Sequence, residues 1–199
     1  MKKVAIIGLG NIGKAIAINL IKNKHEVIVA SRNIDDATTF SQTSEVNGFV
    51  IVKEIEDAIN EADIVIPAIW FTAYPDFFTK YETMLKDKII IDVSNPIIPD
   101  GKGGLQRVIE ENKSAGMSNA LLLPKGAKLV KALGSLTVES LRSKSNQNID
   151  LFYAADDIEI KEDIEKLIEN SGFNPVYIGG IDQSIRMEVG GDLHEINTK

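Results

Sequence analysis

The sequence predicts an α/β fold: one doubly wound, mostly parallel sheet of about eight strands, with helices on both faces. Three observations predict it. Short apolar runs rich in Val and Ile alternate with helical segments along all 199 residues. The first of them, Val4-Ala5-Ile6-Ile7, runs straight into Gly8-Leu9-Gly10-Asn11-Ile12-Gly13 and then into the apolar stretch 14–21. Finally, 44% hydrophobic and 26% charged residues suit a globular core, and with no cysteine that core has no disulfide to lean on.

The opening unit reads as a buried parallel strand, a glycine turn and a helix. Each glycine has a physical task. Gly8 allows the tight turn off the strand, Gly10 lets a pyrophosphate approach the backbone, and Gly13 lets the helix pack close. Phosphates then sit on free N–H groups at the positive end of the helix. Leu9, Asn11 and Ile12 complete the candidate dinucleotide site at this turn. The alternative is a glycine-rich turn with no ligand.

The second strand is expected at 25–30. Its tip, about 20 residues beyond the glycines, is where this fold meets the adenosine ribose. An acid there would suit the free hydroxyls of NAD, but the chain has Ser31-Arg32-Asn33. A hydroxyl and a guanidinium suit a 2′-phosphate, so NADP(H) is preferred over NAD(H). A solvated surface Arg32 is the bland alternative. Asp35 and Asp36 would repel a phosphate if they faced it, or would serve as the first turn of the next helix, expected at 35–44.

Strands follow at 48–52 and 64–66, around a helix at 55–62. Pro67-Ala68-Ile69-Trp70 leaves the fourth strand where ligands bind in such sheets. Trp70 and Phe71 read either as an apolar wall for the cofactor or as a plug at the core edge. Residues 73–86 read as one helix whose Tyr74, Phe77, Phe78 and Tyr81 make a packing face. A fifth strand at 88–93 ends in Ser94-Asn95-Pro96, near the expected nicotinamide. Asn95 there binds a carboxamide or substrate, or fixes the turn. Residues 99–104 read as a loop, and 104–113 as helical.

A helical turn at 118–123, a sixth strand at 127–133 and a helix at 136–143 come next. A strand at 150–155, an amphipathic helix at 160–171 closed by Gly172, and a strand at 174–178 complete the alternation. Pro175 places that last strand at an edge. The whole chain, 1–199, is expected to be a single dinucleotide-binding domain of Rossmann type, with 180–199 as a tail.

Net charge is −7, which argues against nucleic-acid binding and against docking on an anionic membrane. The first apolar run is too short for a secretory signal, and no run of roughly 18 apolar residues exists to span a membrane. A cytoplasmic protein is expected, and a homodimer, the commonest soluble assembly. The two histidines, His25 and His194, form no evident dyad, and no general acid stands out. His25 reads as structural, and His194, in the tail, reads as solvated or as reaching the site.

Several stretches together resemble a known family: Ala5 to Gly13, Ser31-Arg32-Asn33, Ile91-Asp92-Val93-Ser94-Asn95-Pro96, Val130-Lys131-Ala132, and the tail from Arg186 to Leu193 with its Gly190-Gly191 pair. They are similar to the NADP oxidoreductases that depend on coenzyme F420, a deazaflavin. The resemblance implies hydride transfer between NADPH and a flavin-like, deazaflavin or other small redox acceptor, with no metal. It also implies that Ser31 and Arg32 hold the 2′-phosphate and that Ala68, Ile69 and Ala132 lie along the cofactor. Asn95, Pro96, Leu133, Gly190, Gly191 and Leu193 are implied on the acceptor side. The family usually continues its Lys-Ala pair with Phe-Asn, where this chain has Leu133-Gly134. A flavin-like acceptor needs little acid–base machinery, because the ring takes hydride directly. Two other readings are a non-catalytic NADP(H) sensor and a reductase of a small imine or carbonyl.

Overall fold

The computed structural model describes residues 2–46 and 48–195. Ten strands are present among them: β1 (Val4–Ile7), β2 (Val27–Ala30), β3 (Val50–Val52), β4 (Ile64–Pro67), β5 (Ile89–Asp92), β6 (Ile97–Pro99), β7 (Leu105–Arg107), β8 (Lys128–Lys131), β9 (Asp150–Ala155) and β10 (Asn174–Tyr177). Eight form one sheet in the order β10-β9-β8-β5-β4-β1-β2-β3. Every neighbouring pair in it is parallel except β8 with β9. The α/β fold expected from the sequence is therefore the one observed.

Side chains alternate along each strand, so the sheet feeds two cores. Val4, Ile6, Val27, Val29, Ile64, Ile66 and Val130 face one of them. It is closed by α1 (Asn11–Lys22), α2 (Ile34–Ser41), α7 (Val138–Ser143) and α8 (Lys161–Asn170). Ala5, Ile7, Ile28, Ala30, Val65 and Ile90 face the other. It is closed by α3 (Ile55–Glu61), α4 (Tyr74–Lys80) and α5 (Glu82–Leu85), with Ala120 of α6 (Ala115–Ala120) packed against it. The near-continuous apolar strands are explained by this double burial. No helix among the described residues is long and apolar enough to cross a membrane.

Three sequence expectations are corrected. Residues 73–86 do not form one helix: a 3-10 turn (Phe71–Ala73) leads into α4, and Tyr81 separates α4 from α5. Residues 104–113 are not helical: 105–107 form β7, and 100–104 is a loop, as expected, that joins it to β6. β6 and β7 pair as an antiparallel hairpin. Its turn is closed by the Asp100 carboxylate, which accepts from the Lys102 and Gly104 N–H groups at 2.7 and 2.8 Å. Paired strands satisfy the backbone where one isolated helical turn could not. The tail also carries structure, a 3-10 turn (Ile181–Gln183) followed by α9 (Ser184–Met187). Residues 196–199 of the expected tail lie outside the described residues.

Candidate functional site

The order of the sheet changes direction between β1 and β4, which opens a crevice at the carboxyl ends of the strands. The loops after β1, β2, β4 and β5 bring the predicted residues to that edge. Gly8 has φ +101°, and a side chain there would strike the Ala68 carbonyl oxygen at 2.7 Å. A Cβ on Gly13 would stand 2.1 Å from the Gly8 oxygen. A Cβ on Gly10 would meet nothing within 4 Å. The first and third glycines therefore serve close packing of helix on strand, while the second faces open space. Gly10 caps α1 with no side-chain hydrogen bond, so the first N–H groups of the helix point outward without a protein acceptor from a cap. The turn is an open cradle that fits a pyrophosphate.

At the tip of β2, Ser31 is buried and its hydroxyl donates to the Asn33 carbonyl. Asn33 is the N-cap of α2 and accepts from the Asp35 N–H at 3.2 Å. Asp35 and Asp36 form the first turn of that helix, where acids are favoured. Arg32 is exposed and makes no ion pair among the described residues. Its guanidinium is free to take a phosphate.

Ala68 and Ile69 are half-buried after β4, and Trp70 is 52% exposed. Trp70 thus projects from the core edge and does not plug it. Tyr74, fully buried behind this loop, donates to the Pro67 carbonyl at 2.8 Å. Burial first, and the nearby Asp92 charge second, raise its pKa well above 10.

The ends of β5 and β8 hold more than the sequence suggests. Ser94 is buried, and both its N–H and hydroxyl go to the Asp92 carboxylate, at 2.8 and 2.7 Å. Asn95 donates to the Gly134 carbonyl at 2.9 Å and accepts from the Val189 N–H at 2.8 Å, so it ties turn to tail. Pro96, Ala132 and Leu133 are buried. Leu133 adopts φ +60°, a left-handed conformation that a bulky residue takes only when its surroundings impose it. Gly134 follows, and a Cβ there would lie 2.4 Å from the Val93 carbonyl oxygen. Gly190 is exposed with φ +101°, while Gly191 and Leu193 are half-buried.

Sequence reasoning missed the charges beneath this edge. Lys131 is buried with Asp92 and Glu188 beside it, at 3.1 and 3.4 Å. The one available signal was a lysine inside an otherwise apolar strand. His194, expected to be solvated or to reach the site, is 3% exposed. Burial pulls its pKa below 6.5, and the Gly134 backbone is a hydrogen-bond partner. His25, as expected, is structural: it is buried before β2, with its Nδ1 3.3 Å from the Asn170 amide nitrogen.

A surface concavity of about 430 Å³ lies elsewhere, at the amino ends of β4, β5 and β8. Lys2 and Lys128 there are paired with Asp163 and Asp157, so those two cations are already neutralised. The strand order, the open glycine and the free arginine make the other end the candidate dinucleotide site.

The family model for coenzyme F420-dependent NADP oxidoreductases matches residues 3–96, which bears out the resemblance over that part of the chain. Mouse metalloreductase STEAP2 is 25% identical over 186 residues, 93% of this chain and 35% of that protein. The glycerol-3-phosphate dehydrogenase [NAD(P)+] of Listeria monocytogenes is 30% identical over 137 residues, 63% of this chain and 40% of that enzyme. The chain thus spans little more than a third of the length of these curated relatives. Both relatives are, by name, oxidoreductases. Among solved structures, a protein of unassigned function from Sinorhizobium meliloti superposes with TM-score 0.85 and 26% identity, covering 97% of this chain and 93% of that one. A protein provisionally named an F420-dependent NADP reductase, from Arthrobacter, has TM-score 0.79 at 21% identity, covering 93% and 88%, and so shares the fold.

Proposed function

With residues 3–96 matching an NADP oxidoreductase family, we propose that the chain binds NADPH and passes its hydride to a small planar acceptor of the flavin or deazaflavin type. Bound NADPH supplies the hydride. The chain's residues supply position and electrostatics. The cradle at Gly10 and the uncapped start of α1 receive the pyrophosphate. Arg32 clamps the 2′-phosphate, with the Ser31–Asn33 hydrogen bond shaping the strand tip. The nicotinamide end lies over β4 and β5, with Trp70 on one side and Asn95 on the other.

One observation carries the choice of acceptor class. At the nicotinamide end Lys131, Asp92, Glu188, Tyr74 and His194 are all at most 3% exposed, and each has a partner in the protein. None of them is placed to give a proton to a carbonyl or imine product. A ring that accepts hydride directly fits such a site.

The test follows loss of NADPH absorbance near about 340 nm, the dihydronicotinamide band, with FMN, FAD, riboflavin and a deazaflavin in turn. Turnover with one of them, weak with NADH and lost in Arg32→Ala, supports the reading. Tight NADPH binding with no turnover on any of the four overturns it and favours a cofactor sensor.

A further inference from the structure

Lys131, Asp92 and Glu188 are each at most 1% exposed, and they join three separate parts of the chain. Asp92 ends β5, and Lys131, its register partner, ends β8. Glu188 follows α9. The Lys131 ammonium reaches Asp92 Oδ2 at 3.1 Å and Glu188 Oε1 at 3.4 Å, and donates to the Ser94 carbonyl. Asp92 Oδ2 also accepts from Asn119 at 3.0 Å. Both Glu188 oxygens accept backbone N–H groups of α6, from Ala115 and Gly116, at 2.9 Å each. Such a cluster costs more desolvation than apolar residues of similar volume would. What it does provide is a single geometry, because each donor has a defined acceptor.

That geometry is passed directly to the tail. The residue after Glu188, Val189, gives its N–H to Asn95 at 2.8 Å, and its carbonyl accepts from Arg107 at 3.2 Å. The Gly191 N–H then closes a turn on the Glu188 carbonyl at 2.7 Å. At its crest Gly190 faces open space, since a Cβ there would meet nothing within 4 Å. The turn therefore stands beside Asn95, at the carboxyl end of β5, with its crest to solvent.

We infer that Glu188 is a positioning residue: held by Lys131 and the first N–H groups of α6, it fixes the 188–191 turn as one wall of the acceptor site. The inference rests on reading that end as the place where the acceptor meets NADPH. Glu188 touches neither cofactor nor acceptor and acts through the turn.

Glu188→Asp keeps the charge but is one methylene too short to reach α6 and Lys131 together. Glu188→Gln keeps the length but removes the charge. Three readouts separate the possibilities: NADPH affinity from quenching of Trp70 fluorescence, the only tryptophan; acceptor KM and kcat; and amide hydrogen exchange at 189–191. In both variants NADPH affinity should stay within about twofold, acceptor KM should rise at least about fivefold with kcat changed less, and exchange at 189–191 should quicken at least about tenfold. Unchanged exchange in folded Glu188→Asp overturns the inference. So does a fall in NADPH affinity that matches the rise in acceptor KM, since the cluster would then only support the fold. If the wild-type protein reduces none of the acceptors, the functional reading fails, while the exchange arm still decides whether Glu188 holds the turn.

Discussion

Two alanine substitutions in the same glycine turn, at Gly10 and Gly13, should separate binding from folding. Gly10→Ala adds a methyl into open space, at a residue with φ −70° that alanine adopts freely. Its stability cost is that of a poorer N-cap, at most about 1 kcal/mol, which is roughly 2–4 °C in Tm for a protein of this size. The methyl sits where the pyrophosphate approaches, so NADPH affinity should fall at least about tenfold, or ~1.4 kcal/mol. Gly13→Ala is the opposite case. Its Cβ would lie 2.1 Å from the Gly8 oxygen and 3.1 Å from the Ala68 Cβ, more than an ångström short of ordinary contact with the first. Helix α1 must lift off β1, at a cost of about 3 kcal/mol, the upper part of the overpacking range. Tm should drop by roughly 6–12 °C. Calorimetry and titration of NADPH against Trp70 fluorescence read both quantities. Wild-type affinity in Gly10→Ala would falsify the placement of the pyrophosphate. An unchanged melting point in Gly13→Ala would refute the packing argument.

Three further outcomes are expected. Arg32→Ala should weaken NADPH binding by about 10–100-fold, the value of a charge-assisted contact of ~1.5–3 kcal/mol, and leave NADH binding nearly unchanged; equal losses for both in isothermal titration would remove Arg32 from the phosphate site. Lys131→Met strands two buried carboxylates and should cost about 3–5 kcal/mol in urea unfolding, so an unmoved midpoint would contradict the pairing of Lys131 with Asp92 and Glu188. Glu195 is desolvated, which raises its pKa, but Lys144, Ser140 and Thr137 outweigh that and hold it at about 2, below its ordinary 4.5. A lowered folded value means the stabilisation is complete above about pH 4.5 and lost as pH falls toward about 2; Glu195→Gln should flatten the stability–pH curve in that window, and identical curves would count against it.

The sequence by itself determined the sheet and the glycine turn between its first strand and first helix. Short apolar runs doubly buried between helices have a local signature, and so does a glycine turn whose spacing is set by covalent geometry. Val4–Ile7, the glycines and the Ser31-Arg32 strand tip were legible for that reason. The β6–β7 hairpin was not, because its pairing of Ile97 with Arg107 is a contact between segments whose own patterns do not alternate. Nor was the break at Tyr81, because the aromatics that lead up to it, Tyr74, Phe77 and Phe78, keep helical spacing through it. Only the tertiary structure brought together the charged cluster at the ends of β5 and β8. Asp92, Lys131 and Glu188 are far apart in the chain, and each alone reads as an ordinary charged residue. Their meaning comes from burial at one point, where the low dielectric forces every charge to find a partner. The same holds for Asn95, which the sequence left between ligand and turn. In the fold it does the second task, joining Gly134 to Val189, because the end of β5 is where turn and tail converge.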